Sequence, residues 1–361
     1  MRMTGHLAIG AALACAMGAA HAQTANLTLY GRLNLDFEVV RGQQTDGSNS
    51  WTSRLSSNSS RFGLRGSESL GGGHEAFFQI ESSVSGDAGG GTIAGRDTYV
   101  GIRGGWGGVR AGFFKTPYDT VHGVFGNSPT FASSILDTES VWGNGSSLAS
   151  GGFPYRAANS IRYDLPGIFL KGVNGGVQVS TNETGNDTWM LSTGAVWSTG
   201  PWQFGGVYQY NNSMRGAGLN DYAYSVAVAY KFDIVRIAGV WEQLQYDTPT
   251  GDLKRDFWGV SATFYVGPGE LYAFYGNGSD GKGDAAAGER VGGLARGGGT
   301  GVDHYEISYT YPLSKRTAVY AGYVKIDNDG NASYDFATNA RGSLAVGGKP
   351  EGFIAGVKHD F

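Results

Sequence analysis

The chain lacks most of the residues from which reactive sites are built. It has a single cysteine, Cys15, in 361 residues. Beyond that position there is neither a disulfide nor a thiol nucleophile. Six histidines are present, and His74, His122, His304 and His359 are scattered without metal-ligand spacing. No G-x-S-x-G, Walker-type Gly-Lys-Ser/Thr loop or H-E-x-x-H occurs, so no catalytic residue, metal or cofactor is expected. The formal net charge of −4 is too mild to suggest a nucleic-acid partner. After Ala20 no apolar run approaches 18 residues, which excludes a membrane-spanning helix.

Two abundances stand beside these absences. There are 62 glycines, more than twice the ordinary share of roughly 7%. Aromatic residues reach 13%, with 20 Tyr and 18 Phe. A disordered chain would lack the aromatics, and collagen would show a strict three-residue glycine period. Glycine-rich turns joining aromatic-rich strands fit a large antiparallel β-protein.

Each end carries a signal. Met1-Arg2-Met3 is short and basic, Leu7 to Ala20 is apolar, and Ala20-His21-Ala22 fits an A-x-A cleavage site. The expectation is a signal peptide over 1–22, a new N-terminus at Gln23 and one domain over 23–361. Cys15 does not make a lipoprotein signal, because Ala12 stands where leucine is usual. At the other end Phe353, Ala355, Val357 and Phe361 fall on one side of a strand, and Ile354, Gly356, Lys358 and Asp360 on the other. A terminal Phe on such a strand resembles the closing strand of bacterial outer-membrane barrels, which makes Phe361 a candidate assembly signal. His359 departs from the apolar stripe.

Between the ends the alternation repeats. Leu27, Leu29, Leu33, Leu35 and Phe37 share one face, and Thr28, Tyr30, Arg32, Asn34, Asp36 and Glu38 the other. One such strand would suit a soluble sandwich equally. Strands are predicted at 26–38, 60–68, 74–84, 96–104, 107–115, 158–165, 173–181, 188–198, 201–211, 221–232, 234–245, 255–266, 269–276, 302–312, 316–326 and 351–361. That is an even sixteen, of the length a tilted spanning strand needs. Short connections, such as Gly267-Pro268, alternate with long ones at 39–59, 85–95, 116–157, 246–254, 277–301 and 327–350. This segregation matches short periplasmic turns and long external loops. Trp106, Trp197, Trp202, Phe204, Tyr230, Phe232, Trp258, Tyr265 and Tyr311 gather near strand ends, as interfacial girdles would. The fold class is therefore all-β, an antiparallel transmembrane β-barrel in the outer membrane and its lipid.

The largest insertion, 116–157, holds Pro117, Leu136, Val141 and several aromatics, a composition that packs. Around it lie Ser60-Arg61-Phe62-Gly63-Leu64-Arg65-Gly66, Arg96-Asp97-Thr98-Tyr99-Val100-Gly101, Gly107-Gly108-Val109-Arg110-Ala111-Gly112 before Thr116-Pro117, and Tyr155-Arg156-Ala157-Ala158-Asn159-Ser160-Ile161-Arg162-Tyr163. In order and spacing these resemble the general diffusion porins of β-proteobacteria over the whole chain past the signal. The resemblance implies a homotrimer of sixteen-stranded barrels with the third external loop folded into the lumen. It implies Arg61, Arg96 and Arg156 on the wall, with Asp119, Asp137 and Glu139 as the facing loop acids. Alternation directs Arg61, Arg65 and Arg110 inward, but points Arg96 outward unless the start of its strand re-aims it.

The expected function is passive diffusion of small hydrophilic solutes and ions, with a weak anion preference opposed by Asp36, Glu75, Glu81 and Glu242. The alternative is a non-conducting barrel acting as an adhesin, whose long loop would point outward. An outer-membrane enzyme would need a nucleophile beside His74 or His304, and no serine partner is evident.

Overall fold

The computed structural model describes residues 26–126, 134–167, 171–181, 183 and 187–361. The expected signal segment 1–22, Gln23, and Asn127 of the long loop lie outside the described residues. Sixteen barrel strands follow in chain order: β1 Asn26–Arg41, β2 Thr52–Ser57 with Arg61–Gly71, β3 His74–Ser83, β4 Thr98–Gly104, β5 Gly107–Lys115, β6 Arg156–Asp164, β7 Val173–Thr181 and β8 Trp189–Thr199. The second half comprises β9 Trp202–Asn212, β10 Asp221–Lys231, β11 Val235–Thr248, β12 Gly251–Val266, β13 Gly269–Gly278, β14 Val302–Pro312, β15 Thr317–Asn328 and β16 Glu351–Asp360.

Every neighbour pairs antiparallel with the next, and β16 pairs with β1 from Arg32↔Asp360 to Arg41↔Glu351. The sheet is thus closed and leaves no open edge in lipid. Alternation decides which side chains meet which medium. Leu27, Leu29, Phe37, Phe62, Val100, Ile161, Val179, Ile307 and Phe353 stand exposed on the outside, while Asn34, Asp36, Glu38, Ser225 and Glu242 are buried inside. Trp106, Trp197, Trp202, Phe232 and Tyr311 are exposed outside near the short turns. Trp197 and Trp202 each stack on Phe204, at 5.7 and 5.6 Å. His359 also faces out, at the rim, where its Nδ1 lies 2.9 Å from Thr317 Oγ1.

Two sequence expectations are corrected. The segment 246–254 is no long loop. β11 runs to Thr248, β12 starts at Gly251, and the two pair as far as Thr248↔Gly251. Tyr246 and Leu253, read as loop, are fully buried inward, so this polar hairpin keeps its strand pattern beyond the apolar band. The loop expected at 39–59 is likewise shorter. Thr52–Ser57 forms the first half of β2, and the break lies at Ser59, whose φ is +52°. Ser60 Oγ accepts from Asn34 N at 2.9 Å and donates to Asn34 O at 3.1 Å, which patches the ladder there.

The long connection between β5 and β6 leaves the wall at a bulge. Register shifts between Gly112 and Phe114. Gly112 has φ +150°, and a Cβ there would lie 2.2 Å from Thr98 O, so only glycine fits. From this point the chain turns into the barrel through Pro117–Val121 and the single helical turn His122–Phe125.

Candidate functional site: a lumen divided by an inserted loop

The inserted loop sits on one side of the lumen. Tyr118, Val121, Val124, Phe125, Trp142 and Phe153 are buried in one cluster with Val207, Ala227, Val240, Leu244, Phe257 and Phe274 of β9 to β13. Polar anchors fix the register of this packing. Tyr118 OH donates to Glu242 Oε1 at 2.8 Å, Gly143 N donates to the same oxygen at 2.8 Å, and Trp142 Nε1 donates to Ser225 Oγ at 3.1 Å. Ser261 Oγ and Tyr272 OH both donate to Phe125 O, at 2.6 and 3.1 Å. Arg255, fully buried, donates to Glu242 at 2.9 Å and to Val141 O at 2.8 Å. A buried carboxylate keeps its charge only when its oxygens are satisfied in this way.

The opposite wall, β16 and β1 to β6, is rich in arginine and faces the open lumen except around Val40 and Gly352, where Ile135 of the loop packs. Arg61 and Arg96 converge on one carboxylate, Glu81, at 3.4 and 2.6 Å. Arg32 and Lys358 share Asp360, at 2.7 and 3.5 Å. Arg162 and Arg110 share Asp164, at 2.7 and 3.2 Å. Arg156 pairs with Asp97 at 2.6 Å. Three acids are therefore each divided between two cations, and the wall retains an excess of positive charge.

Arg96 points inward although strict alternation sends it outward. The physical reason is that β4 begins only at Thr98, so Arg96 is free of that alternation. Its N–H donates to Glu81 O at 3.1 Å, which turns its side chain onto the Glu81 carboxylate. Arg65 also faces inward; its guanidinium lies 5.0 Å over the Tyr30 ring. Arg110 lies 4.9 Å over both Tyr99 and Phe114.

The three loop acids gather elsewhere. Lys115 Nζ donates to Asp119 Oδ1 and to Glu139 Oε1, each at 3.0 Å. His122 Nδ1 is 3.4 Å from Glu139, and its Nε2 is 2.5 Å from Thr138 Oγ1. Asp137 is buried and accepts from Glu139 N at 2.9 Å, capping the turn at Thr138–Ser140. The partners of Arg61, Arg96 and Arg156 are instead the wall acids Glu81 and Asp97. Asp119, His122 and Glu139 could by type and spacing hold a metal ion. The Lys115 ammonium already bridges both carboxylates and supplies the positive charge.

Burial raises the Asp137 carboxyl to about 8, with help from neighbouring Glu139. Burial alone would lower the His122 imidazole, but its hydrogen bond to Glu139 holds it above the usual value. Burial alone would raise Glu139, yet Lys115 and His122 pull it below the usual carboxylate range.

Residue reasoning did not single out Arg32, Lys358, Arg162 or Lys115 as site residues. Alternation marks Arg32 as inward, but its position directly opposite Arg61 is a fact of register. The acids expected to oppose anion preference are engaged: Glu81 and Glu75 by arginines, Glu242 by Arg255, and Asp36 by the Tyr320 hydroxyl at 3.0 Å.

A closed barrel with an apolar exterior and a polar lumen narrowed by its own loop is a transmembrane channel of the outer membrane. Comparison with known proteins agrees. The family described as Gram-negative porin matches residues 10–331, and the chain belongs to that family. It is 26% identical over 372 residues to outer membrane porin protein 32 of Delftia acidovorans, covering 98% of this chain and 99% of that one. It is 27% identical over 418 residues to an outer membrane porin protein of Bordetella pertussis, with the same coverage of each. Among solved structures, the anion-selective porin from Comamonas acidovorans superposes with a TM-score of 0.76 at 22% identity, over 93% of this chain and all of that one. The protein is a porin of the Gram-negative outer membrane.

Proposed function

We propose that small hydrophilic solutes diffuse between the arginine wall and the inserted loop, that residues 116–157 set the size limit, and that the passage weakly favours anions. The carrying observation is the sharing of Glu81, Asp360 and Asp164 by two cations each. In a narrow lumen a few fixed charges bias ion flow, because fields there exceed those in bulk water. Arg61, Arg96 and Arg156 form the positive side of the constriction. Arg65 and Arg110 lie further toward the short turns, and Asp119, Asp137 and Glu139 shape the loop side. No bond-making step is needed, and we assign the protein no enzymatic role.

Residues 1–22 are removed on export, and 23–361 form one barrel domain. The family resemblance supports assembly as a homotrimer. The adhesin reading loses ground, because its long loop would point outward, whereas this loop packs against the inside of the wall.

The test is a planar-bilayer recording of the purified protein. Stepwise conductance increments are expected, with a reversal potential in a salt gradient on the anion-selective side. A membrane that stays silent sinks the channel reading, and a reversal potential of cation sign sinks the preference.

A further inference from the structure

Below the constriction the wall carries a slot that the ion pairs do not close. Thr28, Arg65, Gln79 and Tyr99 are register partners across four successive strands, Thr28↔Arg65, Arg65↔Gln79 and Gln79↔Tyr99. They form one transverse row of inward side chains with strands about 4.8 Å apart. A cavity of about 330 Å³ opens over this row, bounded also by Asn26 and Arg103. That volume is at the small end for ligand pockets and suits a single ring.

Arg65 differs from its neighbours. The other inward-facing cations of β1 to β6, including Arg61, Arg103 and Arg110, each have a carboxylate partner, while Arg65 has none among the described residues. One face of its guanidinium is occupied by Tyr30, at 5.0 Å. This stacking orients the guanidinium plane, and among the described residues no hydrogen bond or ion pair takes up its N–H groups. Tyr99 donates its hydroxyl to Gln79 Oε1 at 3.2 Å, and Gln79 Nε2 donates to Asp97 O at 3.2 Å. The floor of the slot is thereby held rigid, with the Tyr99 ring alongside.

We propose that this slot is a low-affinity binding step for planar carboxylates on their way through the pore. The carboxylate would take the free guanidinium edge in a forked pair, and an attached flat ring would lie against Tyr99. Chloride can use only the charge, and acetate the charge and the fork without the ring. The proposal rests on the channel reading and deepens it by naming the solute class.

Single-channel recording in potassium chloride tests it, with sodium benzoate, sodium acetate and benzyl alcohol as probes. Benzoate should block the current in a saturable way, acetate far less at equal concentration, and benzyl alcohol not at all. Arg65→Gln should raise the half-blocking benzoate concentration by up to roughly fivefold, the size of one exposed ion pair. Arg65→Lys keeps the charge without the planar fork and should behave like the glutamine variant. Should Arg65→Gln fail to insert, Tyr99→Leu carries the same expectation of weakened block. Equal block by benzoate and acetate, or block unchanged by these substitutions, overturns the proposal. Absence of any conductance steps would instead refute the channel itself, so the two failures are distinct.

Discussion

At the residue scale, selectivity depends on which lumen charges stay uncompensated. Arg61 shares Glu81 with Arg96, and Arg156 holds Asp97. Replacing Arg61 and Arg156 together with serine should widen the passage and move the reversal potential toward cation preference. An unchanged potential at low salt would place both arginines away from the conduction path. A second single-residue test concerns the seam. Gly31 N donates to Phe361 O and Phe361 N to Gly31 O, each at 3.0 Å. A Cβ on Gly31 would lie 2.3 Å from the Phe361 ring and 2.8 Å from Arg61 O. Gly31→Val should therefore lower the folded, heat-modifiable fraction on gels, as should deletion of Phe361. Insertion of both variants at wild-type yield would show that this contact does not govern assembly.

At the scale of elements, the inserted loop is held by packing that the barrel itself does not require. Trp142 is fully buried, 5.4 Å from the Tyr118 ring, 5.1 Å from His122 and 5.3 Å from Phe125. Trp142→Ala should loosen the loop by about 3–5 kcal/mol, the usual cost of such a truncation. The expected readout is a larger conductance and a higher exclusion limit for neutral sugars, with the barrel still heat-modifiable. Pore dimensions like the wild type's would mean that other anchors suffice.

The loop should also respond to pH. Asp137 and His122 both bind protons more tightly folded than unfolded. Such groups add stability that is complete at low pH and is lost as pH rises. For Asp137 the loss runs from its unfolded value near 4 to about 8. Glu139 has the opposite sign, but its contribution is lost only below the ordinary carboxylate range. Lys115, Asp119 and Glu306 also face this cluster. Between pH 5 and pH 9, roughly the window above those carboxylate values, the loop should loosen. Amide protection over 117–125, with the intrinsic base-catalysed rate divided out, is therefore expected to fall toward the alkaline end, and Asp137→Asn should flatten the trend. Protection that rises with pH would reverse the assignment.

At the scale of the whole molecule, the outer surface and the lumen impose different solvents on alternate residues of the same strands. Selectivity should fall with salt, because the Debye length drops from about 10 Å at 0.1 M to about 3 Å at 1 M. A reversal-potential difference between wild type and the Arg61/Arg156 variant that persists undiminished at 1 M would assign selectivity to pore width rather than fixed charge.

The amino-acid pattern alone determined the strands. Those at 107–115, 173–181 and 302–312 match their predicted limits, because a strand between lipid and water must alternate and a two-residue period is local. It also determined that Arg61, Arg65 and Arg110 face inward, since Phe62, Leu64 and Val109 must face lipid. Thr52–Ser57 shows little alternation, because its outward face of Ser53, Leu55 and Ser57 carries a single apolar residue. Only the tertiary structure decided which charges meet. Glu81 lies between Arg61 and Arg96 through strand register and a chain turn before Thr98, and Lys115 reaches Asp119 and Glu139 because a bulge sends the loop inward. Periodicity specifies a face, whereas a charge pair requires the register between strands and the path of an aperiodic loop, which distant parts of the chain fix together.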